Sequence, residues 1–200
     1  VSLTATAGLI TDLDTDNSVD VVATGLRLFA GVGIATATNH LETTVTTLSA
    51  RATSGGLFVS ETSALIIDDV SATIQKVQVD NTVVATTDAT QSDLRTTSGN
   101  GSIVLTTGGD LTLNDGTAAT DTTSISAHGT GNILVSTTGS ITVNADLISG
   151  TGHITVLATA TLTQNADVTT SGTGTINLEA NLVTASLTAD LTAGSGDIRV

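Results

Sequence analysis

Apolar and polar residues alternate in short runs that recur along the second half of the chain. Ile103 and Leu105, Ile133 and Val135, Ile154 and Val156, Ile176 and Leu178, and Ile198 and Val200 hold one set of alternate positions. Val104, Leu134, Thr155, Asn177 and Arg199 fall between them. A period of two puts the first set on one face of a β-strand and the second on the other, so one face is uniformly apolar and the other mixed. Each run follows the same corner, Gly-x-Gly-x, beginning at Gly99, Gly129, Gly150, Gly172 and Gly194. After one longer first interval the phrase returns about every 22 residues, within the range of solenoid repeats.

A second run follows each first one (Leu111-Thr112-Leu113, Ile141-Thr142-Val143, Leu162-Thr163-Gln164). A third is marked by Ala145-Asp146-Leu147, Ala166-Asp167-Val168 and Ala189-Asp190-Leu191. Two or three short strands with no helical stretch between them describe one turn of a coil. The pattern therefore predicts an all-β chain, a right-handed parallel β-helix (β-solenoid) with rungs of about 22 residues. Stacking at about 4.8 Å sets Ile over Ile and completes each rung's backbone hydrogen bonds from its neighbours. Asn114, Asn144 and Asn165 occupy equivalent places after the second run, where stacked amides form a ladder.

The first third is a looser version of the same construction. Residues 1–10 and 19–29 alternate as strands, separated by the acidic stretch from Asp12 to Asp20. Gly31-Val32-Gly33-Ile34 and Ser54-Gly55-Gly56-Leu57-Phe58-Val59 repeat the glycine corner before an apolar strand. Val45-Thr46-Thr47-Leu48 reads as a strand or a single helical turn, which local periodicity does not separate. Residues 70–98 interrupt the pattern: Ile74 to Val79 and Val83 to Thr87 flank Asp80-Asn81, a dipeptide that tolerates positive φ and suits a tight turn. They are expected to leave the rungs as a two-stranded hairpin arm, with a smaller excursion between Asn114 and Gly129. Residues 1–200 are thus expected to form a single segment, most regular over 99–200, within a longer repetitive chain. The two ends, Val1-Ser2-Leu3-Thr4 and Gly196-Asp197-Ile198-Arg199-Val200, read like interior strand passages, as if one unit continued into the next.

Composition supports repetitive β structure. Only two residues are aromatic, Phe29 and Phe58, and Cys, Met, Trp, Tyr and Pro are absent. A narrow tube of stacked Ile, Leu, Val and Ala has no need of rings, and a continuous ladder has almost no place for proline. A formal charge of −14 with five basic residues leaves little to neutralise phosphates, so nucleic acid is not an expected partner. No apolar run approaches 18 residues, so membrane insertion is not expected.

Gly33-Ile34-Ala35-Thr36-Ala37-Thr38-Asn39-His40-Leu41-Glu42-Thr43, Ser54-Gly55-Gly56-Leu57-Phe58-Val59-Ser60, Gly99-Asn100-Gly101-Ser102-Ile103-Val104-Leu105 and Gly150-Thr151-Gly152-His153-Ile154-Thr155-Val156 resemble repeats of giant bacterial surface proteins of the filamentous-haemagglutinin-like class. The likeness runs over essentially the whole chain. It implies a right-handed β-helix exported to the bacterial cell surface, with a part in adhesion or biofilm structure and host or biofilm surface ligands as partners. The chain departs from the pattern at His40, where proline is expected, and the secretion-signal domain of such proteins is not in the sequence.

Candidate chemistry is sparse. Asp12, Asp14, Asp16 and Asp20 set hard oxygen ligands as in the first half of a calcium loop, but Ala23 stands where a closing Glu belongs, so an acidic surface turn competes with a calcium site. Asp146, Asp167 and Asp190 would stack at rung spacing, as solvated corners or around a cation. His40, His128 and His153 show no zinc spacing. A polysaccharide-acting β-helix enzyme is the catalytic alternative, and it lacks the aromatic platforms and basic clamps of carbohydrate subsites. Thr-x-Thr pairs, as in ice-binding arrays, do not recur at rung spacing. On the arm, Lys76, Asp80 and Asn81 are the candidate contact residues. The reading is a non-catalytic shaft, with no cofactor other than calcium and with neighbouring copies, end to end or lateral, as partners.

Overall fold

The computed structural model describes residues 1–14, 16–118 and 121–200; Thr15 of the acidic stretch and Ala119-Thr120 of the smaller excursion lie outside it. The described residues contain no helix. Nineteen strands form one sheet in which every strand pairing is parallel, and two more form a separate antiparallel hairpin. The architecture is all-β and solenoid-like.

Each layer contributes up to three short strands. On the first face Leu57–Glu61, Ile103–Thr107, Ile133–Thr137, Ile154–Ala158, Ile176–Glu179 and Ile198–Arg199 pair in that order. Single-residue bridges from Ile10 to Ile34 and from Ile34 to Leu57 extend the column downward. On the second face Leu65–Ile67, Leu111–Leu113, Ile141–Val143, Thr161–Gln164 and Leu182–Ala185 stack in register. The third face runs from Ser2–Ala5 through Val21–Ala30, Leu41–Ala52, Leu94–Thr96, Thr123–Ala127, Asp146–Ser149 and Val168–Thr170 to Leu191–Ala193. Strand Leu41–Ala52 settles the ambiguity over Val45 to Leu48 in favour of strand, because its 12 residues cross all three faces without a turn.

The inward columns form the core. Ile103, Ile133, Ile154 and Ile176 are fully buried one above another, and Leu105, Val135, Val156 and Leu178 repeat this two residues on. Each such side chain contributes about 1.5–3 kcal/mol on burial. The corners explain the glycines. A Cβ on Gly101, Gly131, Gly152, Gly174 or Gly196 would land on the carbonyl oxygen of the equivalent glycine one layer below, so the corner closes only without side chains. Gly99, Gly129 and Gly172 also take φ between 57° and 67°, where a Cβ is strained.

Side chains at the corners supply the acceptors that the turn removes. Ser102 Oγ accepts the amide of Asn132 at 3.1 Å, Asn132 Oδ1 that of His153 at 2.8 Å, and His153 Nδ1 that of Thr175 at 3.1 Å. The amide ladder is present: Asn165 donates to Asn144 at 2.9 Å, Asn144 to Asn114 at 3.0 Å, and Asn114 to Asp68 at 2.9 Å. The buried Glu61 is fully satisfied by Thr43 Oγ1, the Val45 amide, and the amide and hydroxyl of Ser63, at 2.6–2.9 Å.

The hairpin arm is narrower than residues 70–98. Thr73–Val77 pairs antiparallel with Val83–Thr87, the Val70–Gln91 bridge closes its neck, and Leu94–Thr96 already belongs to the stack. Both arm strands are exposed throughout.

Candidate cation site and arm

The acidic stretch folds as a chain of local turns at one end of the stack. Asp12 Oδ1 accepts the amide of Asp14 at 3.1 Å, Asp14 Oδ1 that of Asp16 at 3.4 Å, and Asp16 Oδ1 that of Ser18 at 2.8 Å. Asn39 Nδ2 ties this loop to the next layer by donating to the carbonyls of Asp12 at 3.3 Å and Asp14 at 2.6 Å. The result brings one oxygen each of Asp12, Asp14 and Asp20 within 4.8 Å of one another. Asp16 is not in that group; its carboxyl is held below the usual range by the Ser18 hydroxyl and amide. Three of the four predicted ligands therefore meet, and the fourth serves the turn.

A further carboxylate that the local spacing could not reveal lies near them on the next layer. Glu42 is only 5% exposed, and its Oε2 has no hydrogen-bond partner among the described residues; the same holds for Asp12 Oδ2. Asp20 and Glu42 are tied through backbone: Asp20 Oδ2 accepts the Glu42 amide at 3.1 Å and the Asp20 amide donates to the Glu42 carbonyl at 2.9 Å. Burial pushes the Glu42 carboxyl up, and Asp12, Asp20 and Asp14 push it further. Asp12, Asp14 and Asp20 have no basic partner among the described residues and present hard oxygens suited to a cation, with Glu42 outside their group but close enough to feel their charge. Glu42 approaches from 22 residues beyond Asp20 along the chain, where no loop motif looks.

Asp146, Asp167 and Asp190 stack, yet each of the first two accepts the amide of the next (Asp167 at 3.0 Å, Asp190 at 2.8 Å), so they act as corner caps. The histidines stay apart: His40 packs its ring 6.0 Å from Phe58 and burial lowers its pKa, His128 Nδ1 bonds the Gly99 carbonyl at 2.7 Å, and His153 belongs to the corner ladder. Lys76 lies on the exposed arm opposite Val84, and Asp80 and Asn81 form its tip. Asn81 takes φ 64°, and Asp80 Oδ1 accepts the Thr82 amide at 3.0 Å and hydroxyl at 2.6 Å, which draws its carboxyl down.

The sequence also concealed a clustering of base. Arg27, Arg51 and Arg95, three of five basic residues, line a groove of about 200 Å³ against the returning arm. Arg51 and Arg95 are ladder neighbours, Arg27 lies 6.0 Å from the Phe29 ring, and Arg27 Nε donates to the Ala89 carbonyl at 3.1 Å. Comparison with known proteins adds no relative: no protein-family model, no curated protein and no solved structure matches this chain.

Proposed function

We propose that the chain is a non-catalytic shaft segment of a secreted or cell-surface protein of the filamentous-haemagglutinin-like class, serving adhesion or matrix scaffolding at a bacterial surface. The observation that carries this is the uninterrupted apolar column from Ile10 through Ile34, Leu57, Ile103, Ile133, Ile154 and Ile176 to Ile198, which turns sequence length directly into rod length. The coil is proposed to be right-handed, as crossovers between parallel strands almost always are. Its regular rungs are of about 22 residues, in keeping with the pairing of Ile154 with Ile176 and of Ile176 with Ile198. Partners are other copies, meeting end to end through strand edges or laterally through the arm, and surface ligands of host or biofilm.

A calcium-dependent form of this role is the second reading, favoured by the meeting of Asp12, Asp14 and Asp20 beside the unpartnered Glu42 oxygen. Deleting residues 72–88 should leave the circular-dichroism spectrum and thermal midpoint of the stack nearly unchanged, because among the described residues the arm strands pair only with each other. Concentration-dependent light scattering and binding to a coated surface should fall. A deletion that unfolds the stack makes the arm part of the core; one that alters neither property removes it as a contact surface. Chelation in the same assays reads the calcium dependence, which is excluded if association and midpoint are unaffected.

A further inference from the structure

A second acidic site, absent from the sequence pattern, lies where the arm rejoins the stack. The neck is closed by reciprocal backbone hydrogen bonds between Val70 and Gln91, at 2.8 and 3.0 Å, and Gln91 Nε2 donates to the Leu28 carbonyl at 2.9 Å. Asp93 follows with φ 68° and its carbonyl accepts the Ala50 amide at 2.9 Å, so its backbone is fixed from two sides. Its side chain is 3% exposed. Oδ2 accepts the Ser92 hydroxyl at 2.7 Å, whereas Oδ1 is shielded from solvent and has no partner among the described residues. A buried carboxylate oxygen left in this way is costly unless something else completes it.

The neighbouring layer brings further carboxylates to it. The residues that follow Leu113, as far as Ala118, are pinned to the neck by Asp69, which accepts the amides of Thr117 at 2.9 and 3.0 Å and Ala118 at 3.2 Å, as well as the Thr117 hydroxyl. A Cβ on Gly116 would collide with Asp69 Oδ1 and Ser92 Cβ, a measure of how closely the two connections press. Asp115 is thereby held over Asp93, and Asp121 is tied there by Arg95, one oxygen of each of the three within 4.8 Å of the others. Arg95 Nη1 pairs with Asp121 at 2.9 Å and offsets one charge, so two negative charges remain. Burial, then Asp121 and Asp115, push the Asp93 carboxyl up to about 6 against the hydrogen bond from Ser92 and the pull of the Gly116 amide.

We propose that Asp93, Asp115 and Asp121 bind a hard divalent cation, calcium by its ligand chemistry, that clips the neck of the arm to the neighbouring layer. Carboxylate oxygens are the ligands of a hard divalent cation, and calcium suits such a site best because it accepts a variable number of them in flexible geometry and completes its shell with water. The ion takes the unpartnered oxygen of Asp93, balances the two residual charges and fills its remaining coordination with water and the exposed faces of Asp115 and Asp121. The site is independent of the cluster at Asp12, Asp14 and Asp20, and its structural effect is to set the direction in which the arm projects.

Calorimetric titration with calcium chloride tests this in a chain carrying Asp12→Asn and Asp14→Asn, which removes ligands from the other cluster. One ion per chain is expected in that background, and adding either Asp93→Asn or Asp115→Asn should weaken it by about tenfold or more. Asp115 is exposed, so its variant keeps the test open if Asp93→Asn impairs folding. A nitroxide attached through Asn81→Cys at the arm tip should lose mobility when calcium is added, and keep it when Asp115→Asn is present. The proposal is overturned if the background takes up no calcium, or if both variants bind it as well as the background does.

Discussion

Ile154→Asp is expected to unfold the layers between Gly129 and Gly194 and to cost about 4 kcal/mol or more, the range reserved for an unpaired charge placed in a dry core. Ile154 is 0% exposed and is sandwiched between Ile133 and Ile176, both equally buried and in direct register, so no rotamer carries a carboxylate to water. The loss does not stay local. Layers in a solenoid share interfaces only with their neighbours, and removing one interior interface uncouples the layers on either side. Thr155→Asp, one residue along and outward-facing, is the matched control and should change stability by less than about 1 kcal/mol. Chemical denaturation of the two variants against the parent reads the contrast. Equal, small effects would mean that the Ile column is not a core.

Gly152→Ala should cost about 2–3 kcal/mol despite adding a single methyl group. The new Cβ would fall on the carbonyl oxygen of Gly131 and 2.8 Å from Ser149 Oγ. That oxygen cannot move aside, because the layers above and below fix its backbone, and Ser149 Oγ already donates to it at 2.8 Å. The corner must therefore open, which weakens the flanking ladder. Gly8→Ala is the counterpart: a Cβ there meets nothing within 4 Å, and stability should stay within about 0.5 kcal/mol of the parent. Thermal midpoints of the pair separate a stacking constraint from a general loss of glycine flexibility, which would affect both positions alike.

Most of the architecture was legible because the stack repeats its own solution. Ile103, Ile133, Ile154 and Ile176 each meet the same neighbours, so the demand for an apolar β-branched side chain recurs at fixed spacing and shows as a period. The asparagine ladder is visible for the same reason, since each amide satisfies the next. Sites are not repeated, and there the sequence failed in an instructive way. Asp12, Asp14 and Asp20 were found because they lie along one turn, while Asp16 at the same spacing was drawn off by Ser18. Glu42 was missed because it arrives from the next layer, and Asp93, Asp115 and Asp121 because two connections of unrelated length bring them to one corner. Arg27, Arg51 and Arg95 are 24 and 44 residues apart and become neighbours only through the register of the third face. A stacked chain hides such clusters by converting long sequence separations into short vertical ones.

That conversion can be measured directly, and the absence of cysteine makes paired spin labels unambiguous. Ser60 and Thr106 are 46 residues apart along the chain, with the whole arm between them, yet they are direct ladder partners. From Thr106 the same outward column continues through Ser136 and Leu157 to Glu179. Nitroxides at Ser60→Cys and Thr106→Cys should therefore show the strong dipolar broadening of a separation of about 5 Å between backbones, and a Ser60→Cys/Glu179→Cys pair should give about 19 Å, four ladder steps, by pulsed dipolar spectroscopy. A first pair with no broadening, or a second at a distance unrelated to four steps, would contradict the stacked-layer account from which the shaft function is argued.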